Sequence, residues 1–339
     1  MSDAKITELT ELTDPTGEDL LAVVDDVAGT PIIKKTTIQK IADLFASLTQ
    51  TLTNKTLTTP VINGLITGTF GGYYNSVSNQ AIINGGFTVN QRGYATSGTL
   101  ASGAYGHDRW KAGAGGGDYT FTQLASSTQI TIEAGKTLIQ VIEDKNVVGG
   151  TYTLSWTGTA QARAGVDTAT PAGGYADSPL TISAQTAGTV MSVEFDAGTL
   201  GEVQLNIGGV ALPFQPKSYA QEEHDCLRYA YVPGYGSSLE GRSKLFSALA
   251  SSTTVVNCLV KFPVPMRTTP TLTATATEWA LLLPSTAHYD VSALAIEVVG
   301  DSKDSCIINA ISTGISSDQM YWFETDATAG RIMIFDAEL

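Results

Sequence analysis

The last third of the chain offers rings in turn-rich surroundings: Tyr231 and Tyr235 flank Pro233-Gly234, and His288-Tyr289-Asp290 lies in a turn-like stretch. Trp279, Tyr321 and Trp322 add to the set. A sugar ring has an apolar face of C–H groups that packs on Tyr or Trp, while its hydroxyls take hydrogen bonds from Asn, Asp and the backbone. Tyr231, Tyr235, Trp279, His288, Tyr289 and Trp322 are therefore the candidate glycan contacts. Core packing is the alternative for each of them. Trp110 and Trp156 sit among strand-like residues and read as core.

Bond-breaking chemistry has weaker support. Glycoside hydrolysis needs two carboxylates across a sugar, about 5 to 9.5 Å apart. The candidates are Glu143 with Asp144, Glu222 with Glu223 and Asp225, and Asp301 with Asp304. Neighbours on a strand point to opposite faces, so these read as solvated carboxylates. Val298-Val299-Gly300-Asp301-Ser302 looks like a serine nucleophile block, but such a serine needs a histidine base. None of the 37 residues after Ser302 is His. His107, His224 and His288 are isolated, and no zinc spacing, acidic Ca²⁺ loop or phosphate loop occurs. The expectation is no catalytic residue, no metal and no cofactor.

The elements that position these residues are legible in the composition. The chain has 339 residues, of which 45 are Thr and 34 Gly, with 42% hydrophobic and only 15% charged residues. That mixture favours β-structure with polar, uncharged faces. A net charge of −14 argues against a phosphate backbone as partner. No apolar run approaches the roughly 18 residues of a membrane span, and Met1–Lys5 lacks the start of a secretory signal. Cys226, Cys258 and Cys306, odd in number and widely spaced, read as buried hydrophobes.

The first thirty residues carry eight carboxylates and one lysine. Within them Leu20–Val24 and, after a turn, Pro31–Lys35 predict a hairpin. Thr36-Thr37-Ile38-Gln39 has capping-box spacing, and Ile41, Phe45, Leu48 and Leu52 form the apolar stripe of a helix. From Val61 to His107 the only charged residue is Arg92, which suggests a neck with apolar side chains buried between chains.

Alternation with a period of two begins near Ala81. It is clear in Tyr119–Thr122, Tyr152–Trp156, Met191–Phe195 and Val203–Ile207, and it predicts a β-sandwich. Ala162–Ser178 lacks alternation and reads as a long surface loop. Pro213 and Pro216 mark a boundary, after which Tyr219–Tyr231, Val255–Phe262 and Thr269–Thr277 belong to another β-domain.

Three sets of residues resemble the tail fibre proteins of tailed bacteriophages. The first is Lys5–Thr10, Gly17–Asp25 and Lys35–Ile38, continuing into the stem-like phrase Thr51–Pro60. The second is Ile83–Phe87, Gln91–Gly93 and Asp108–Trp110, closing at Gly209–Phe214 and resembling a jelly-roll akin to carbohydrate-binding modules. The third is Ser218–Glu223, Cys226–Tyr229, Phe262–Thr271 and Asp336–Leu339. Ala230 stands where the family often has a bulkier residue, and Phe87–Gln91 lacks the Trp of many members.

The resemblance implies a mainly β, elongated, homotrimeric fibre of the virion, assembled in the host cytoplasm. Its parts would be a small α/β attachment head over 1–50, a neck over 51–80, a jelly-roll over 81–216 and a distal receptor-binding β-sandwich over 217–339. The head would dock on a phage tail or baseplate protein through Leu20, Val23, Asp25, Asp26, Ile38, Ile41 and Phe45. The distal part would hold a host polysaccharide or lipopolysaccharide without cleaving it. No nucleic acid and no membrane insertion are implied. A polysaccharide-degrading tailspike and a purely structural connector are the alternatives.

Overall fold

The computed structural model describes residues 16, 18–25, 32–47, 80–123, 127–235, 242–284, 287–297, 302–326 and 332–339. The chain divides into two units, Met1–Thr69 and Phe70–Leu339. The neck and the Thr51–Pro60 phrase lie outside the described residues, apart from Gln80.

In the first unit β1 (Leu20–Asp25) pairs antiparallel with β2 (Ile32–Thr37), with Leu20 opposite Thr37. Helix α1 (Ile38–Ser47) comes directly after. Its cap is one residue later than the spacing predicts. Lys40 N–H donates to Thr37 Oγ1 at 3.2 Å, and the Gln39 amide reaches forward to Asp43 at 2.7 Å rather than back to the cap.

The second unit opens with a two-sheet sandwich. One sheet orders β3 (Lys111–Ala112), β6 (Leu138–Ile142), β10 (Met191–Phe195) and β8 (Ala162–Gly165) as β3-β6-β10-β8. The other runs β4 (Tyr119–Gln123), β5 (Thr128–Ile132), β11 (Gly198–Ile207), β7 (Gly150–Gly158) and β9 (Leu180–Gln185) in that order. All pairings are antiparallel. Phe195 stands at the centre of the core, edge-on to Trp110 at 5.8 Å and to Trp156 at 5.2 Å.

Two expectations change here. Ala162–Gly165 is a strand, because Phe195 to Ser192 supply it with a full set of partners. The residues after it cover β10, so Met191–Phe195 is buried along both faces rather than one. Ser192 Oγ donates to Thr168 O at 2.9 Å, and Glu194 pairs with Arg163 at 2.6 Å. Similarly Gln204 and Asn206 on β11 are buried by the 209–215 segment, with Gln204 accepting from Gln215 N–H at 2.8 Å. Ile207 is left exposed.

The region after Pro216 opens on a helix, α2 (Tyr219–Leu227), where a strand-rich segment is expected. Ser218 Oγ caps it by accepting from Gln221 N–H at 3.3 Å. Seven strands then form an antiparallel sheet: β17 (His288–Asp290), β16 (Trp279–Leu282), β20 (Met320–Thr325), β13 (Lys244–Ala250), β14 (Val255–Lys261), β19 (Ser305–Ile311) and β18 (Ala293–Glu297), in that spatial order. A small sheet of β12 (Ala230–Tyr231), β21 (Met333–Asp336) and β15 (Thr271–Ala274) packs with it around Val256, Cys258, Ile308, Phe323 and Phe335. Cys226, Cys258 and Cys306 are free thiols and buried.

Candidate functional site

Of the candidate docking residues, Leu20, Val23 and Asp25 lie on β1 and Phe45 on α1, while Asp26 is outside the described residues. Ile38 and Ile41 are half-buried.

The six candidate glycan contacts separate into three groups. Trp279 is only 1% exposed and stacks on Phe323 at 5.5 Å, so the expected sugar contact is a core residue. Tyr231 stacks on Phe335 at 5.9 Å and meets Phe262 edge-on. Tyr289 packs edge-on against buried Tyr321 at 5.8 Å. These three point inward because period-two alternation puts them on the core side of their strands. Tyr235 is half-buried beside the first sandwich, where its hydroxyl accepts from Asn90 N–H at 3.3 Å. Trp322 and His288 remain, and the structure brings them onto one face.

That face is the outer side of the seven-stranded sheet. Register places Ser247, Trp322, Leu282 and His288 in one row across β13, β20, β16 and β17. At about 4.8 Å per strand, Trp322 and His288 are separated by about 10 Å, wide enough for more than one sugar ring. Trp322 is 41% exposed. His288 Nδ1 is 2.6 Å from Glu324 Oε1 in the next row, and Arg242 Nη1 donates to the same oxygen at 3.2 Å. Glu324 is fully buried, and both contacts are made to its Oε1. An aromatic plate beside a His–Glu–Arg cluster can stack on a C–H face and bond hydroxyls together.

Sequence reasoning missed Glu324 and Arg242. In Met320–Thr325 the glutamate occupies an outward position that no local pattern distinguishes. Only the cross-strand register reveals that His288 and Arg242 close over it.

Beyond this cluster the same face mixes apolar side chains with Asn257, Asn309 and Glu297. Met320, Leu249 and Ile311 are exposed, and Leu259 is 66% exposed. Val255 and Ile307 lie on the same side, half-buried. Lys244, Lys261 and Glu297 supply charge at strand ends.

Residues of the second and third of the sets that resemble fibre proteins gather elsewhere, at the junction of the two sandwiches. Asn84, in left-handed conformation (φ 58°), accepts from Thr88 and Val89 N–H and donates to Val89 and Asp108 carbonyls at 2.8 to 3.0 Å. Its own N–H donates to Glu222 at 2.6 Å. Arg92 contacts Asp336 at 2.9 Å, Glu338 at 3.4 Å and Asp108 at 3.5 Å. Arg109 pairs with Glu338, and its guanidinium lies 3.7 Å over the Tyr229 ring. Arg267 donates to the Ala337 and Glu338 carbonyls at 2.7 and 2.6 Å.

Burial opposes the charge of Arg92, but Glu338, Asp108 and Asp336 outweigh it and hold the guanidinium above its ordinary pKa. Burial pushes Asp108 up to about 6, against the pull of Arg92 and the Gln91 N–H.

Of the carboxylates considered for hydrolysis, Glu143, Glu222 and Asp225 are tied to structural partners, and Glu143 and Glu222 are buried rather than solvated. Glu143 accepts from Arg228 at 2.6 Å and from the Tyr229 hydroxyl at 2.8 Å, Glu222 holds Asn84, and Asp225 pairs with Lys217 at 2.8 Å. Asp301 is outside the described residues. Among the described residues no group of His, Cys, Asp and Glu could hold a metal ion, and no helix is long and apolar enough to cross a membrane.

No protein-family model matches the chain, and no curated protein matches it. Two solved structures are similar to it. Recombinant discoidin II of Dictyostelium discoideum is 11% identical, with 74% of this chain and 90% of that chain covered at a TM-score of 0.16. Wild-type discoidin II from the same organism is 10% identical, with 77% and 93% covered and the same TM-score of 0.16. Likenesses at such scores carry no weight for fold or function.

Proposed function

We propose that this chain is the receptor-binding fibre subunit of a tailed bacteriophage, which attaches the virion to a host cell-surface polysaccharide or lipopolysaccharide and breaks no bond. The observation that carries the reading is the exposed Trp322 plate in one row with His288 and backed by Glu324 and Arg242. The distal sheet thus offers the apolar surface and the hydrogen-bonding groups that a neutral or charged glycan needs.

The subunits assemble as a homotrimer, with the first unit docked on a tail or baseplate protein. Each chain carries −14, so identical copies repel unless they meet through an uncharged surface. Leu249, Leu259, Ile307 and Ile311 supply apolar area for such a contact, bordered by Lys261 and Glu297. Three copies, and several fibres per particle, raise effective binding by roughly 10² to 10⁴ where geometry permits simultaneous engagement. Weak single sites then suffice.

The test is binding of the intact protein to immobilised capsular polysaccharides and lipopolysaccharides from a panel of bacteria. Retention on a subset, lost in Trp322→Ala, supports the reading. Retention equal in wild type and variant counts against this face, and retention on none counts against adhesion.

A further inference from the structure

A cleft of about 770 Å³ opens between the first sandwich, α2 and the Val264-Pro265 connection of the distal sandwich. Its charge is the reverse of the whole molecule's. Lys145, Lys217 and Arg228 line it against one carboxylate, Asp225, in a chain of net −14. Gln221, His224 and Arg228 recur at steps of three and four along α2 and at its C-terminal cap, which sets them in one stripe toward the cleft.

These cations are unequally engaged. Lys217 is held by Asp225 at 2.8 Å. Arg228 gives Nε and Nη2 to Glu143 at 3.0 and 2.6 Å, which fixes the guanidinium plane. Lys145 is exposed and takes part in no ion pair among the described residues, although its field helps to lower the Glu143 pKa. Val148 and Ile207 also line the cleft, 63% and 42% exposed, and neither packs into the core clusters.

A preset guanidinium, a free ammonium and two bare apolar side chains suit a ligand with a carboxylate, apolar C–H faces and hydroxyls for Gln221 and His224. The volume lies within the ordinary range of small-ligand sites, about 300 to 1,000 Å³. We infer that this cleft is a second binding site, for an acidic saccharide whose uronic- or sialic-type carboxylate lies between Lys145 and Arg228. The site is separate from the Trp322 face and takes from the proposed function only that the ligand is a saccharide. In an otherwise repulsive negative field, the local reversal selects acidic sugars over neutral ones.

The experiment uses the full chain and three probes: a hyaluronan tetrasaccharide, a galacturonate trisaccharide and an α2,8-linked sialic acid trimer. Each is paired with its carboxyl-reduced counterpart, and binding is read by calorimetry and saturation-transfer NMR. At least one acidic probe binds saturably, its reduced counterpart binds about tenfold more weakly, and Lys145→Glu weakens the acidic probe by a similar factor. Binding also falls between about 50 and about 300 mM salt. His224→Ala, at an exposed position, weakens it further, whereas Trp322→Ala leaves it unchanged. Absence of saturable binding by every acidic probe overturns the inference. So does equal binding of the reduced sugars, indifference to Lys145→Glu, or inorganic phosphate competing as well as the saccharide. Loss in Trp322→Ala alone would move the acidic sugar to the distal face, overturning this site while keeping the proposed function.

Discussion

Arg109 and Glu338, 229 positions apart in the chain, form an ion pair in which each side chain is only 2% exposed. The pair joins the turn that precedes β3 to the segment after β21, so the two sandwiches share buried charge. Removing one partner leaves the other uncompensated, which typically costs about 3–5 kcal/mol. Glu338→Ala therefore lowers the unfolding midpoint strongly. Calorimetry checks this, and an unchanged midpoint would mean that the contact carries no such energy.

Gly85 faces the backbone of β11. A Cβ there would lie 2.1 Å from Val203 O, and backbone cannot swing aside as a side chain can. Gly85→Ala is thus expected to destabilise the first sandwich by about 1–3 kcal/mol through overpacking. Gly93→Ala is the comparison, because a Cβ there meets nothing within 4 Å. The Gly93 φ of +64° still costs about 1 kcal/mol. Denaturant titration of both variants measures the difference, and equal losses would remove the close approach as the cause.

Acid has opposite effects on two adjacent residues. Burial lowers His107 from 6.5 to about 4, so its neutral form contributes stability above pH 6.5 that is lost as pH falls toward 4. Burial raises Asp108 from 3.8 to about 6, so the fold binds a proton that the unfolded chain releases, and stability from this group falls as pH rises from 3.8 to 6. Each window is worth roughly 3 kcal/mol at 1.36 kcal/mol per pKa unit. Between about pH 7.5 and 4, the stability of His107→Gln relative to wild type rises by that amount, and that of Asp108→Asn falls by it. Differences that do not vary with pH would contradict both assignments.

Leu259 stands 66% exposed on the outer face of the seven-stranded sheet, opposite Ile307. If copies of the chain meet there, Leu259→Glu places like charges in the contact and dissociates the assembly. Sedimentation is expected to give three times 35.6 kDa for wild type and a single subunit for the variant. A monomeric wild type, or a trimer in both, would contradict this use of the face.

Much of this architecture can be read from residue order. The hairpin, the alternating strands, the buried thiols and the core positions of Trp110 and Trp156 stem from local pattern, since burial on one face imposes a period of two. Position relative to distant strands does not. Met191–Phe195 alternates as a half-exposed strand would, yet the loop after β8 covers its polar side. Trp279 and Trp322 are both tryptophans in strand-like contexts, and only the register between β16 and β20 sends one into the core and the other outward. The Thr36–Gln39 cap is displaced by one residue because β2 extends to Thr37. The second and third sets of segments that resemble fibre proteins meet at the sandwich junction through contacts more than 200 residues apart, such as Arg92 with Asp336. No local pattern encodes that meeting.

The most direct test of the central claim measures retention of wild type and Trp322→Ala on immobilised bacterial surface polysaccharides, with soluble reducing ends assayed in the same wells. The account predicts retention of wild type on a subset, loss of more than about 1 kcal/mol of binding in the variant, and no sugar released. Equal retention of the two proteins, no retention of either, or steady release of reducing sugar would contradict it.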